Sequence, residues 1–352
     1  MSVWRKKSLV DLLAHAENSQ MKRTLGAGSL IALGIGAIIG AGLFVRTAAA
    51  ASEAAGSGVT ISFIIAAIGC AFAGLCYAEF ASMIPISGSA YAYSFVTMGE
   101  LVAWIIGWSL IMEYALGAAT VSIAWSEYLN NLLGHAIPYE WCHSPFESMY
   151  NVSHDIVVQI QKLPGHWDGI EKGILSAAQY ENLPVNLASK VTITSGFINA
   201  PALIILLALT LLLIKGTKES ARVNAIIVFV KVAIVLVFIV IGWYFIKDSN
   251  HTPYLIPEGT FGHDGFFKWG WGGVLGGAGI VFFAFIGFDA VSTAAQEAKN
   301  PKRDMPIGIL GSLVVCTILY ILFGHVLTGV ANWKDFVDPL KGREASVAYA
   351  IS

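Results

Sequence analysis

Five stretches of this chain run for about twenty residues or more without one Asp, Glu, Lys or Arg: Thr24–Val45, Gly56–Ala78, Val191–Ile214, Trp269–Phe288 and Met305–Trp333. A helix needs about 20 mostly apolar residues to cross ~30 Å of hydrocarbon, so each run is long enough to span a bilayer. Two more qualify if buried charge is allowed: Leu101–Leu133, interrupted by Glu113 and Glu127, and Val223–Ile246, interrupted by Lys231. The runs are continuous and lack the alternation of a membrane β-barrel. Composition agrees, with 56% hydrophobic and only 12% charged residues, about half the charge that covers an ordinary soluble surface. The expected fold class is therefore an all-α polytopic membrane protein with seven spans.

These spans divide the chain as follows. Residues 1–23 form a cytoplasmic N-terminal segment, 24–133 helices one to three and 134–191 an extracytoplasmic loop. Residues 192–246 hold helices four and five, 247–268 a second outer loop, 269–333 helices six and seven, and 334–352 a loop with the start of an incomplete eighth helix. The N-terminus is placed inside because Lys22, Arg23, Lys215, Lys218, Arg222, Lys299, Lys302 and Arg303 crowd against helix ends in short segments. Lysines of the long 134–191 loop carry little weight in that rule. The first twenty residues are mixed and polar and show no cleavable signal peptide.

A net charge of −2 gives no reason to expect nucleic acid as a partner. Cys70, Cys76, Cys142 and Cys316 lack metal or disulfide spacing. His135, His143, His154 and His166 are scattered along the outer loop without ligand spacing, so the expectation is a solvated loop and no metal. No cofactor is expected. Asn151-Val152-Ser153 is a glycosylation acceptor only in a host that glycosylates.

Two spans carry unusual glycine. The first holds Gly34, Gly36, Gly40 and Gly42, and the sixth opens with Gly270, Gly272, Gly273, Gly276, Gly277 and Gly279. Gly36 and Gly40 form a GxxxG pair, which close helix packing alone would explain. Interrupted spans at matching places in two halves are instead a pointer to a secondary transporter's binding site. Amides freed at a broken helix receive an anion, and freed carbonyls of the partner helix receive a cation. Such a pocket matches the carboxylate and ammonium of an amino acid.

Five motifs then carry a resemblance: GIGAIIGAGLF (Gly34–Phe44), YAEFASMIPISGSAYAY (Tyr77–Tyr93), MEYALGAA (Met112–Ala119), GTKESARVN (Gly216–Asn224) and FFAFIGFDAVSTAAQEAKNPKRDMPIGI (Phe282–Ile309). Together they resemble the amino acid–polyamine–organocation superfamily, and within it most closely the cationic amino acid transporter family. The resemblance implies a five-plus-five inverted repeat, of which this chain, truncated after about seven transmembrane helices, lacks the later ones. It implies a substrate carboxylate on the backbone at Ile38, Gly40, Ala41 and Gly42, and an ammonium on the carbonyls of Phe283, Ala284 and Ile286. Phe283 falls where that family places an aromatic gate.

Lys231 lies about 13 Å into its span at 1.5 Å per residue, far for a snorkelling side chain. A charge at that depth is a functional candidate by default. It is read as a proton-coupling group, and the resemblance places it where sodium-coupled relatives hold sodium. Glu113 and Asp289 are also within spans. Either could pair with Lys231, meet a cationic substrate tail or carry a proton. Glu113 could equally make a structural hydrogen bond and Asp289 cap a half-helix. Glu79 and Glu127 are read as interfacial.

The expected function is an amino acid permease for cationic or small neutral amino acids, multi-pass in a plasma or bacterial inner membrane, coupling their entry to protons by alternating access. An exchanger or a polyamine transporter of the same superfamily is the alternative. A seven-span receptor predicts an outside N-terminus and does not explain the broken helices. An enzyme is not expected, because no HExxH, GxSxG or Walker pattern occurs.

Overall fold

The computed structural model describes residues 6–8, 23–40, 42–134, 136–163, 173–175, 177–215, 217–260, 263 and 265–336. Among them five helical stretches are long and apolar enough to cross a membrane, and two shorter apolar helices accompany them. The main helices are α1 (Ala27–Ile38), α2 (Val59–Met83), α3 (Ser89–Thr97), α4 (Glu100–Leu132), α5 (Ala200–Lys215), α6 (Thr217–Gly242), α7 (Gly270–Val281) and α8 (Pro301–Val330). The expected opening of an eighth span at 343–352 lies outside the described residues.

The boundaries shift from the sequence expectation in instructive places. The first span does not stop at Val45. After its break it runs on through Gly42–Arg46, Thr47–Ala50 and Ala51–Ala55, so Arg46 and Glu53 sit within helical turns rather than ending them. The chain reverses at Gly56, whose φ of +58° suits glycine, and α2 begins three residues later. The fourth run yields a helix only from Ala200, because Thr192–Ser195 pairs as a strand. Helix α3, short and polar at its start, had no apolar signature to announce it.

The core is built where α8 crosses α2 and α1. Small residues permit the approach: a Cβ on Gly308 would lie 2.6 Å from Leu30 Cβ, and one on Gly74 would lie 2.7 Å from Leu313 Cδ1. Such small-residue contacts replace the hydrophobic driving force that is missing between helices in lipid. Phe63, Phe285 and Tyr320 form a fully buried aromatic cluster at its centre, with ring centroids 5.2–6.3 Å apart. Outward faces of α4 and α6 are instead apolar and exposed, including Trp104, Trp108, Leu116, Phe229 and Val237. An apolar surface of that extent fits a bilayer rather than water. The chain is a helical multi-pass membrane protein.

The segment expected to be a solvated loop contains a folded unit. Strands β1 (Ser148–Asn151), β2 (Ile174–Leu175) and β3 (Thr192–Ser195) form an antiparallel sheet in the order β2-β1-β3. Val152, Ile156, Val157, Ile160, Leu175, Leu183 and Leu187 make a separate small core beside it. These apolar positions are spread over short elements, so no single run revealed them. The molecule is accordingly mostly, but not wholly, helical. His143 stacks on Tyr139 at 3.8 Å with its Nδ1 3.0 Å from the Tyr139 carbonyl; His135 and His166 lie outside the described residues.

Candidate functional site: two broken helices facing one another

Helix α1 ends because Ile39 leaves helical geometry at φ −70°, ψ 109°. The chain re-enters helix through a wide π-type turn, Gly42–Arg46, with the amides of Leu43 and Phe44 donating to the Gly40 carbonyl at 3.1 and 3.4 Å. Ala41 lies outside the described residues. Across from this break, α7 tightens into the turn Phe282–Phe285 and then opens at Ile286 (φ −56°, ψ 135°). Gly287 follows at φ +111°, where a Cβ would also meet the Ala37 carbonyl at 2.7 Å. Only glycine fits there.

The two interrupted segments touch. Gly42 lies so close to the Ala284 backbone that a side chain at position 42 would overlap it. At their other ends the same spans are clipped together: the Leu25 amide donates to the Glu297 carbonyl at 2.9 Å and the Lys299 amide to the Leu25 carbonyl at 2.8 Å.

Glycine therefore has two roles here. Gly34 packs on Ser312 and Val291, Gly36 on Val228 and Gly42 on Ala284, whereas a Cβ on Gly40 would meet open space. In α7 the glycines from Gly272 to Gly279 lie within the helix rather than at the break, and Gly270 opens it at φ +54°. Gly272, Gly273 and Gly276 let backbone carbonyls of Phe266, Ala54 and Phe267 approach, and Gly277 lies against Ser62 and Ala55. The interruption of the sixth span falls later, at 282–289.

A helix C-terminus leaves its last carbonyls without intrahelical partners. Lys231 supplies them at the break of α1: its ammonium donates to the Gly36 carbonyl and, at 2.5 Å, to that of Ile39. A cation is also favoured there by the helix dipole. The side chain is thus turned into the protein, not along the helix towards an interface. Among the described residues neither Glu113 nor Asp289 pairs with it.

Tyr320 performs a second bridging role. Its fully buried hydroxyl lies 3.0 Å from the Ile38 carbonyl and 2.8 Å from that of Ala284, one donor shared between both broken helices. Ala284 was expected to offer its carbonyl to a substrate ammonium, as was Phe283, whose carbonyl here accepts the Ile286 amide at 3.4 Å. Each carbonyl retains a second lone pair.

Asp289 is buried, and its Oδ2 accepts from the Tyr114 hydroxyl at 2.7 Å. Its side chain makes no cap for the Ala290–Thr293 turn. Glu113, half-buried on α4, stands within electrostatic range of Asp289. Phe283 is half-buried, and the Arg46 guanidinium lies 5.9 Å from its ring centroid.

The structure thus brings Ile38, Gly40, Gly42, Lys231, Ala284 and Ile286 to one place, with Phe283 at its edge and Asp289 with Glu113 as a neighbouring carboxylate group. Sequence reasoning missed Tyr320, Tyr114 and Arg46. A tyrosine within an apolar span is the one signal that pointed to Tyr320, since a buried hydroxyl must find a partner.

Known proteins resemble this chain along nearly its whole length. Residues 25–350 match the amino acid permease family. The branched-chain amino acid permease BcaP of Bacillus subtilis (strain 168) is 43% identical over 336 residues, covering 95% of this chain and 61% of that protein. The methylthioribose transporter of the same organism is 40% identical, covering 94% of this chain and 60% of its own length. The vacuolar cationic amino acid transporter 4 of Arabidopsis thaliana is 32% identical, covering 94% and 48%. The chain therefore spans about half to three-fifths of the length of these curated relatives. A match along nearly the whole chain, over a helical membrane fold with paired broken spans, means that this protein belongs to the amino acid permease family, whose members are transporters and not enzymes.

Proposed function

We propose that this protein carries amino acids across the membrane by alternating access, in symport with protons. The substrate is held between the interruption at Ile38–Gly42 and the turn at Phe283–Ile286. Its carboxylate meets amides at the start of the second half of span one, Ala41 included, and its ammonium meets carbonyls of Phe283, Ala284 and Ile286. Phe283 closes over it. The two spans correspond across a five-plus-five inverted repeat. The N-terminus faces the cytoplasm, and the membrane is the plasma or bacterial inner membrane.

The observation that carries this reading is the Lys231 ammonium on the Gly36 and Ile39 carbonyls. A titratable group caps the end of the first half of span one, at its discontinuity. Protonation and the shape of the substrate site are then coupled by contact, because losing the proton removes a charge-assisted bond from the break. A fixed cation there also opposes a second cation, by about 4 kcal/mol at 4 Å and an effective dielectric of 20, which speaks against sodium. Asp289 serves as a second proton-handling group, and Glu113 beside it meets the tail of a cationic substrate.

The test is uptake into proteoliposomes in sodium-free buffer under an inward pH gradient. Leucine, lysine, arginine and methylthioribose form the panel because relatives carry names from each of those classes, and alanine is added as a small neutral amino acid. Gradient-driven uptake of an amino acid supports the proposal. Uptake that needs sodium, or that ignores the gradient, overturns the coupling.

A further inference from the structure

From the folded unit between α4 and α5 we infer that it is seated on the bilayer, with Trp141, Phe146 and Phe197 in the lipid headgroup–acyl boundary. Helix α5 supplies the ruler. It has 16 residues, about 24 Å of rise, against ~30 Å of hydrocarbon. With its Lys215 end at one boundary, its Ala200 end stops about 6 Å short of the other. Phe197 lies three residues before Ala200, at most about 10 Å further on, since the Ala200 amide turns back onto the Ile198 carbonyl at 3.0 Å. It therefore falls within about 4 Å of the second boundary, at the level where headgroups meet acyl chains; any tilt of α5 sets it deeper.

Hydrogen bonds fix the rest of the patch at that depth. The amides of Phe197 and Ile198 donate to the Glu140 carbonyl at 2.8 and 3.1 Å. The Asn199 carboxamide donates to the Cys142 carbonyl at 2.6 Å, while its oxygen accepts from the Ala202 amide at 3.1 Å. One side chain thus caps α5 and clamps the Tyr139–Trp141 turn onto its entrance. The Gly196 amide donates to the Glu147 carbonyl at 2.9 Å, which brings the Phe146 turn alongside.

The exposed aromatics follow from this placement. Trp141 meets Phe197 edge-on at 5.9 Å, yet they remain 48% and 66% exposed, and Phe146 is 98% exposed. Aromatic side chains are enriched where one end is apolar and the other wet, at membrane–water interfaces. Leu203 and Ile204, at the start of the α5 helix that this unit caps, and Leu132 at the end of α4 are exposed and apolar as well. A lipid surface, rather than a protein partner, accounts for a patch that begins where a membrane helix ends.

The experiment uses the whole protein in liposomes. The emission of the unsubstituted chain minus that of Trp141→Phe reports Trp141 alone. Lipids brominated on the acyl chain near the headgroup are expected to quench that difference about twofold, and lipids brominated near the chain methyl to quench it less. A nitroxide on Phe146→Cys, read against the unsubstituted chain with its exposed Cys76, should collide more with oxygen than with a water-soluble nickel chelate. This second reading decides the matter if Trp141→Phe does not fold. Unquenched emission as red as a hydrated indole, or preferential collision with nickel, overturns the inference. Blue emission that neither bromolipid quenches overturns it in favour of a protein partner.

Discussion

The Lys231 ammonium stands 2.5 Å from the carbonyl of Ile39, the residue at which span one stops being helical. One contact thereby joins a charge on α6 to the discontinuity that shapes the candidate substrate site. Charge and break each look costly alone. A lysine inside a membrane span needs a polar partner, and carbonyls exposed by a broken helix need donors. Each answers the other's need.

Lys231→Met should therefore have two separable effects. Removing the donor strands the carbonyls of Gly36 and Ile39, at about 1–3 kcal/mol for a buried group left unsatisfied. The thermal midpoint of the purified protein should fall. Uptake driven by a pH gradient in sodium-free proteoliposomes should vanish, because the titrating group is gone. Unchanged gradient-driven uptake by the variant would remove Lys231 from the coupling mechanism.

Tyr320→Phe tests the second bridge while keeping the ring that packs on Phe63 and Phe285. The hydroxyl alone ties the Ile38 carbonyl to that of Ala284. Its loss should cost about 1–3 kcal/mol in stability and reduce the rate of uptake. A variant with wild-type stability and uptake would show that the two broken helices hold their relation without it.

The contrast between Lys231 and Tyr320 shows which parts of the site the sequence could reveal. A charge in an apolar run stands out on hydropathy alone, and so does the break of span one through its glycines. The glycine-rich opening of span six is instead helix, and its interruption falls later, beyond that glycine run. The hydroxyl of Tyr320 is contributed by α8, nearly three hundred residues from its Ile38 partner along the chain, and such pairing is tertiary information. Hydropathy located the spans because transfer to lipid depends on composition within a window. It could not show that the first span continues past Arg46, since helix ends are set by backbone turns such as that at Gly56. Nor could it reveal the small sheet of 148–195, where each element is too short to carry a pattern. The glycines divided in a way that spacing alone leaves open: Gly34, Gly36 and Gly42 pack, and Gly40 does not.

That division separates two substitutions that the sequence treats alike. Gly42→Leu drives a side chain into the Ala284 backbone and should lower folded yield, since overpacking a tight contact costs about 1–3 kcal/mol or more. Gly40→Leu enters open space and should insert and purify normally while abolishing amino acid uptake. Size-exclusion profiles beside uptake assays distinguish these outcomes. Normal uptake by Gly40→Leu would move the substrate elsewhere.

Asp289 and Tyr114 form the next measurable pair, 2.7 Å apart. Tyr114→Phe and Asp289→Asn, alone and together, form a double-mutant cycle. Directly bonded residues couple by about 0.5–3 kcal/mol, so the double variant should be less destabilised than the sum of the singles. Strict additivity would mean that the contact contributes nothing to stability.

Glu113→Gln, finally, asks whether the neighbouring carboxylate reads the substrate. Glu113 is half-buried on α4 and stands close enough to Asp289 for the two charges to interact. If it meets a cationic substrate tail, neutralising it removes an attraction worth about 4 kcal/mol at 4 Å and an effective dielectric of 20, less wherever water intervenes. Lysine and arginine binding should then weaken by at least tenfold, a difference of about 1.4 kcal/mol, while alanine binding changes little. Competition against one radiolabelled amino acid measures all three affinities in a single preparation. Equal loss for the three would assign Glu113 to proton handling with Asp289, and the pH dependence of uptake by Glu113→Gln would then shift where that of the alanine affinity does not.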